Sequence, residues 1–206
     1  RVDREWFDEV LAALQRDYAR LLIREGLNIQ KGQRLVINCP VDCAPFARLC
    51  ADEAYAAGCR EVIMKWHDDY LARAKYLYAE DSVFDEVHRW EVLLADTVSG
   101  EGAAWLAIHA DDPENLKGVD PDRIRRAQVV SGRALEKFRQ REMRDEFPWC
   151  VASIPTEAWA KAVFPDLDAE RGATCYVSRD HGKTWEKRGT AVFSDEWQES
   201  QLVEMD

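Results

Sequence analysis

Residues 34–66, RLVINCPVDCAPFARLCADEAYAAGCREVIMKW, decide the fold. The stretch opens on RLVINC (34–39), a short apolar run of strand type, and closes on EVIMKW (61–66), a second such run. Between them Asp42 is placed to cap a helix. Phe46, Leu49, Cys50, Ala54 and Ala57 then recur at helical spacing, and Gly58 ends the pattern. A strand, a helix and a strand within so short a span form a βαβ unit, which requires a parallel pair and a right-handed crossover.

The alternation extends in both directions. Upstream, Phe7, Val10, Leu11, Leu14, Tyr18, Leu21 and Leu22 form one apolar helical stripe that Gly26 ends, and Lys31-Gly32 is a turn. Downstream, 69–78 and 82–97 read as helices, the second with Ser82 and Glu86 near a capping arrangement. AWLAIHA (104–110) is a third strand. Asp120-Pro121 starts a helix, because Asp caps it and Pro at the first position gives up an amide that has no partner there. Ile124, Ala127, Ser131, Ala134, Leu135 and Phe138 line one face of that helix. WCVASI (149–154) is a fourth strand, and 156–163 is a short helix that stops before Pro165. Residues 1–166 therefore predict an α/β domain, an open and mostly parallel sheet flanked by helices. Beyond 166 the helical period is lost. Segments 174–179, 190–193 and 201–205 are strand-like and separated by turn residues, so 167–206 predicts a short antiparallel β tail.

Composition narrows the function. The 206 residues carry a net charge of −11 and are 47% hydrophobic and 33% charged, the balance of a globular protein. An acidic chain repels phosphate backbones and anionic lipid surfaces, so no nucleic-acid or membrane partner is expected. No apolar run approaches the roughly 18 residues of a membrane span, and the first residues show no signal-peptide pattern. The first residue is Arg1 rather than Met, from which we expect a fragment or a processed form. Cys39, Cys43, Cys50 and Cys59 fit no CxxC zinc spacing. They read as small buried hydrophobes of a reducing compartment, and a cytoplasmic location is expected. Trp105, Trp149 and Trp159 fall on strands or helices and read as core rather than as a substrate platform.

In an open α/β sheet, ligands bind beyond the carboxyl ends of the strands. Two loops there combine imidazole with carboxylates, His67-Asp68-Asp69 and His109-Ala110-Asp111-Asp112. His67, Asp69, His109 and Asp111 could together form a two-metal hydrolytic site, since both donor types suit Zn, Mn or Fe. The alternative is that Asp68, Asp69 and Asp112 cap the helices and turns that follow. The chain has no GxGxxG after a strand, no GxxxxGK[ST], no GxSxG and no HExxH.

Four blocks carry a family resemblance: YARLLIREGLNIQKGQ (18–33), ADEAYAAGCREVIMKWHDD (51–69), GAAWLAIHADDPENLKGVDPDRI (102–124) and WCVASIPTEAWAKAVFPD (149–166). In this order they resemble the amino-terminal portion of the thermophilic-aminopeptidase (aminopeptidase T-like) metallopeptidases. The resemblance implies removal of amino-terminal residues from peptides by a metal-activated water, with Zn, Co or Mn as cofactor, in a homodimer. In that family the metal ligands are Glu, His, Tyr and Asp side chains in the later half of a chain about twice this long, and none has a counterpart here. The resemblance thus implies an amino-terminal domain that binds no metal itself, with no catalytic residue in this chain and a peptide substrate met through the catalytic half.

The tail resembles something else. SRDHGKTW (178–185) has the S-x-D-x-G-x-T-W pattern of a tight hairpin and is similar to the Asp-box of bacterial sialidases. Residues 198–205 are similar to the segment that follows it, and the resemblance makes Glu199 the residue that assists a tyrosine nucleophile. One such motif is less than a propeller blade. Two partial resemblances in one chain suggest a fused reading frame with its junction near 166–172, the alternative being a β extension that carries an Asp-box hairpin. A sialidase-like glycoside hydrolase fragment, or a non-catalytic interaction module using a sheet edge, are the alternative readings.

Overall fold

The structure, a computed structural model, describes residues 4–163, 173–177 and 186–191. Four parallel strands form its central sheet: β1 (Arg34–Pro40), β2 (Glu61–His67), β3 (Ala104–Ile108) and β4 (Trp149–Ala152), in the spatial order β2-β1-β3-β4. The βαβ unit is as expected. Arg34 is paired with Glu61 and the register runs in step to Pro40 opposite His67. β3 joins the other side of β1, and β4 pairs with β3 at the far edge.

Alternation along the strands assigns the faces. Leu35, Ile37 and Cys39 of β1, with Leu106 and Ile108 of β3, face the main core. Two helices cover this side, α1 (Arg4–Arg20) and α2 (Ala44–Ala56), the latter contributing Phe46, Ala47, Cys50 and Ala54. The α1 helix continues as a wider π-helical turn over Leu21–Gly26, where Leu27 N–H reaches back to the Leu22 carbonyl at 2.8 Å. Leu22 and Ile23 thereby stay buried. A side chain at Gly26 would place its Cβ 3.3 Å from Cys150 Sγ, so this turn lies close against the β4 edge. Gly58, at φ +92°, closes α2 in a conformation that disfavours residues with a Cβ.

Val36 faces the opposite side with Val98 and Ala103. That side is covered by α4 (Arg89–Gly100) and α6 (Glu136–Met143). Trp105 packs edge-on against Phe138 at 4.9 Å there. Arg141 donates to the Asp96 carbonyl and to Ser99 Oγ, both at 2.9 Å.

Three expectations need correction. Segment 82–97 is not one helix: a 3-10 turn over Asp81–Asp85 is followed by an extended Glu86, and α4 begins at Arg89. Long-range charge holds the tighter turn, because Arg126 bonds Asp85 and Arg123 bonds Asp81 at 2.5 Å. Phe84 is buried there, stacked on Tyr76. Asp42 is not the cap of α2: Val41–Cys43 forms a 3-10 turn and Cys43 takes the capping position. The helix begun by Pro121 breaks at Leu135, into α5 (Pro121–Ala134) and α6. Its start is as expected, with Asp120 accepting from the Asp122 amide at 2.9 Å.

Helix α3 (Asp69–Tyr78) has the expected bounds, and α7 (Glu157–Val163) follows β4. Strands β5 (Ala173–Val177) and β6 (Glu186–Ala191) form a separate antiparallel pair. Asp-box positions 178–185, the expected strand at 201–205 and Glu199 lie outside the described residues.

Candidate functional site

β2 and β3 flank β1, so the loops leaving their carboxyl ends converge above the end of β1. The two loops bond to each other there. His67 Nε2 and Asp111 Oδ1 are 2.7 Å apart, and both side chains are about one-third to two-fifths exposed. Asp69 Oδ2 accepts from the Asp112 amide at 2.7 Å, and Asn115 Nδ2 donates to the Asp69 carbonyl at 2.9 Å. Arg73, one turn along α3, donates to the carbonyls of Asn115 and, at 3.0 Å, Lys117. Trp159 of α7 closes the web by donating from Nε1 to the Asp111 carbonyl at 2.8 Å.

The aspartates mostly serve the backbone, as the capping alternative holds. Asp68 caps α3 through the Leu71 amide at 2.9 Å, and Asp112 accepts from the Glu114 amide at 2.9 Å. Burial raises the Asp69 carboxyl above the ordinary range; the Asp112 amide opposes this, and neighbouring Asp111 adds to it.

Beside this web lies a cleft of about 920 Å³. Asp42, Cys43 and Phe46 line it from the start of α2, Tyr70 and Arg73 from α3, and Ile154 and Thr156 from the segment after β4. Its acidic side chains outnumber its cations, and both cations are engaged: Arg73 on loop carbonyls and Lys161 on Glu157.

The four residues considered as metal ligands do not assemble into a cage. His67 and Asp111 satisfy each other, Asp69 is turned to the Asp112 amide, and His109 is exposed with its backbone paired to Ala152. Among the described residues, no three His, Cys, Asp or Glu side chains are grouped to hold a metal ion. The metal that the resemblance implies is therefore not fitted by these side chains. No described helix is long and apolar enough to cross a membrane.

The core assignment of the tryptophans holds only in part. Trp105 is half-buried against Phe138, whereas Trp149 and Trp159 are 39% and 40% exposed. Trp149 is on the edge strand, and Trp159 spends its indole N–H on the loop web. Sequence reasoning missed the roles of Arg73, Asn115 and Trp159, because each bonds a partner more than forty residues away. Only the strand order, which sets the β2 and β3 loops side by side, could have suggested them.

Comparison with known proteins agrees with this architecture. A family model described as thermophilic metalloprotease (M29) matches residues 12–181, past the boundary expected at 166. Aminopeptidase 2 of Geobacillus stearothermophilus is 39% identical over 153 residues, covering 74% of this chain and 37% of that protein. Aminopeptidase AmpS of Bacillus subtilis is 36% identical, with the same coverage. The solved structure of wild-type AmpT from Thermus thermophilus superposes with a TM-score of 0.71 at 32% identity, covering 76% of this chain and 39% of that one. The chain thus spans well under half the length of the relatives it matches. With the match covering most of its length and the parallel sheet in place, the chain belongs to the M29 family of thermophilic metalloproteases.

Proposed function

We propose that this chain supplies the amino-terminal α/β domain of a metal-dependent aminopeptidase, which removes amino-terminal residues from peptides. The family match over residues 12–181, to proteins named aminopeptidases, carries the reading. The described residues offer a cleft and no metal cage, which supports a division of labour. In this reading the Zn, Co or Mn ion is held by residues of the longer protein beyond those described, and the domain here helps to wall the substrate space. The whole enzyme would act as a cytoplasmic homodimer, as the family resemblance implies.

A chimera tests this. Residues 12–163 are exchanged for the matching segment of Geobacillus stearothermophilus aminopeptidase 2, and hydrolysis of aminoacyl-anilides is measured. Retained hydrolysis is expected, and a folded but inactive chimera would refute the domain assignment. The present chain, dialysed against Zn, Co or Mn and analysed by mass spectrometry, should retain less than one ion per molecule. Stoichiometric binding would overturn the division of labour.

A further inference from the structure

A second cavity, of about 560 Å³, shares no lining residue with the cleft. Helix α3 is a wall of both, its Tyr70 and Arg73 lining the cleft and its Lys75 and Tyr76 the second cavity. The other walls are the 3-10 turn, the extended link from Glu86 to His88, the first turn of α4, the later half of α5, and α6. Four charged side chains line it from four elements: Lys75 from α3, Glu86 from the link, Glu91 from α4 and Arg139 from α6.

These four charges are unspent. Among the described residues, none of the four side chains makes a hydrogen bond or an ion pair, and neither Lys75 nor Arg139 has a carboxylate oxygen within 4.0 Å. Arg139 is one turn from Glu142, and its charge opposes the burial that raises that carboxyl, but the two are not paired. Acids on the neighbouring turns are used differently. Asp81 and Asp85 of the 3-10 turn pair with Arg123 and Arg126, and Asp96 of α4 pairs with Lys137 and Arg141. The second cavity also differs from the cleft, where Arg73 and Lys161 are both engaged.

The two signs are held apart by different elements. The Arg139 guanidinium lies against α5, with one nitrogen 3.5 Å from where a Cβ would stand on Gly132. Gln128 and Ser131 of the same stretch of α5 line the cavity, and neither side chain has a hydrogen-bond partner among the described residues. This side offers a planar charged fork and two neutral donors, a set that suits a carboxylate. Glu86 and Glu91 supply the opposite pole, from the link and α4. Val83, Val87 and Ala127 give the lining its apolar part. An anion alone would meet two carboxylates, and a cation alone would meet Lys75 and Arg139. A ligand that is net neutral and carries both charges gives each sign a partner.

We propose that this second cavity binds a free α-amino acid with an apolar side chain. Its carboxylate goes to Arg139, Gln128 and Ser131, its ammonium to Glu86 and Glu91, and its side chain against Val83, Val87 and Ala127. Such a molecule is what the proposed reaction releases, so the site would sense product. That role rests on the aminopeptidase reading, whereas the binding does not.

The test uses the full 206-residue chain, isotope-labelled, titrated with L-leucine and followed through its amide NMR shifts. One saturable site with a Kd of roughly 1 mM is expected, because the charges are partly in water and the ligand is small. The shifts should centre on Lys75, Glu91, Gln128 and Arg139. Leucinamide lacks the carboxylate and N-acetyl-leucine lacks the ammonium, and each should bind at least about fivefold more weakly. Leucyl-leucine, with its charges farther apart, distinguishes a free amino acid from a peptide and should also bind more weakly. Arg139→Gln and Glu91→Gln should each weaken leucine binding about fivefold. The proposal is overturned by an absence of saturation at about 50 mM leucine, by any of the three analogues binding as tightly as leucine, or by shifts that centre instead on Asp42, Tyr70 and Thr156 in the cleft. The comparison of ligands needs no variant, so it decides the matter even if a substitution disturbs folding.

Discussion

The sheet and the loops at its carboxyl end are built on opposite principles. Beneath α1 and α2, Leu35, Ile37, Leu106 and Ile108 are at most 1% exposed and packed into one continuous apolar cluster. At the rim, the loops after β2 and β3 meet through His67–Asp111, Asp69–Asp112 and Arg73–Lys117, all of them polar and partly in water. The floor is held by area removed from solvent, which is non-directional and large. The rim is held by a few directed bonds, each of small net worth. A family can therefore keep the floor and vary the rim at little cost in stability, and the rim is where ligands are met.

The contrast predicts a graded series of effects on unfolding in urea. Leu106→Ala should cost about 3–4 kcal/mol, because the site is fully buried and the close-packed walls relax only in part. A loss below about 1 kcal/mol would mean the core collapses around the gap, and the contrast would fail at its strong end. Arg73→Ala comes next, at about 1–2 kcal/mol, because two loop carbonyls lose a charged donor. Arg73→Lys should rescue only part of this, since one ammonium does not reproduce a planar fork. A fully stable Arg73→Ala would show that water replaces the guanidinium and that the rim is looser than drawn here. Asp111→Asn should cost at most about 0.5–1 kcal/mol, the pair with His67 being partly exposed. A cost equal to that of Leu106→Ala would erase the distinction between floor and rim.

The smallest effect has a definite sign. Burial raises the Asp69 carboxyl, so the folded state binds its proton more tightly than the unfolded chain does. The stabilisation this gives is complete below the unfolded pKa and is lost as pH rises through the folded one. Asp69→Asn keeps the acceptor for the Asp112 amide and abolishes the titration. Relative to wild type, the variant should therefore gain stability as pH is raised from about 3 to about 6, starting near the ordinary aspartate value of about 3.9. Urea unfolding at both ends of that window measures it. A trend of the opposite sign would mean that the amide bond outweighs burial.

How much the sequence disclosed follows the same division. The short apolar runs and Asp120-Pro121 report local constraints, and β1 to β4 and α5 begin where those signals put them. Helix α3 was readable for the same reason, with Asp68 as a local cap. Segment 82–97 departs from one continuous helix because the 3-10 turn at Asp81–Asp85 is bonded to Arg123 and Arg126, some forty residues away. At the rim, residue types suggested chemistry, but whether a carboxylate faces a metal, a histidine or an amide is fixed by the neighbouring loop. His67 and Asp111, from the ends of β2 and β3, are brought together as partners for each other.

Pro40 gives the cleft its starting line. It ends β1 between two neighbours, opposite His67, yet has no amide hydrogen to offer either. The pairing of β1 with β3 has already stopped at Asn38, and Pro40 brings no donor to renew it. A three-stranded ladder would otherwise tend to zip onward and draw the following loops into the sheet. The proline acts as the stop of that zipper: beyond it β1 turns away through Val41–Cys43, and the loops after β2 and β3 meet through side chains rather than through a continued ladder.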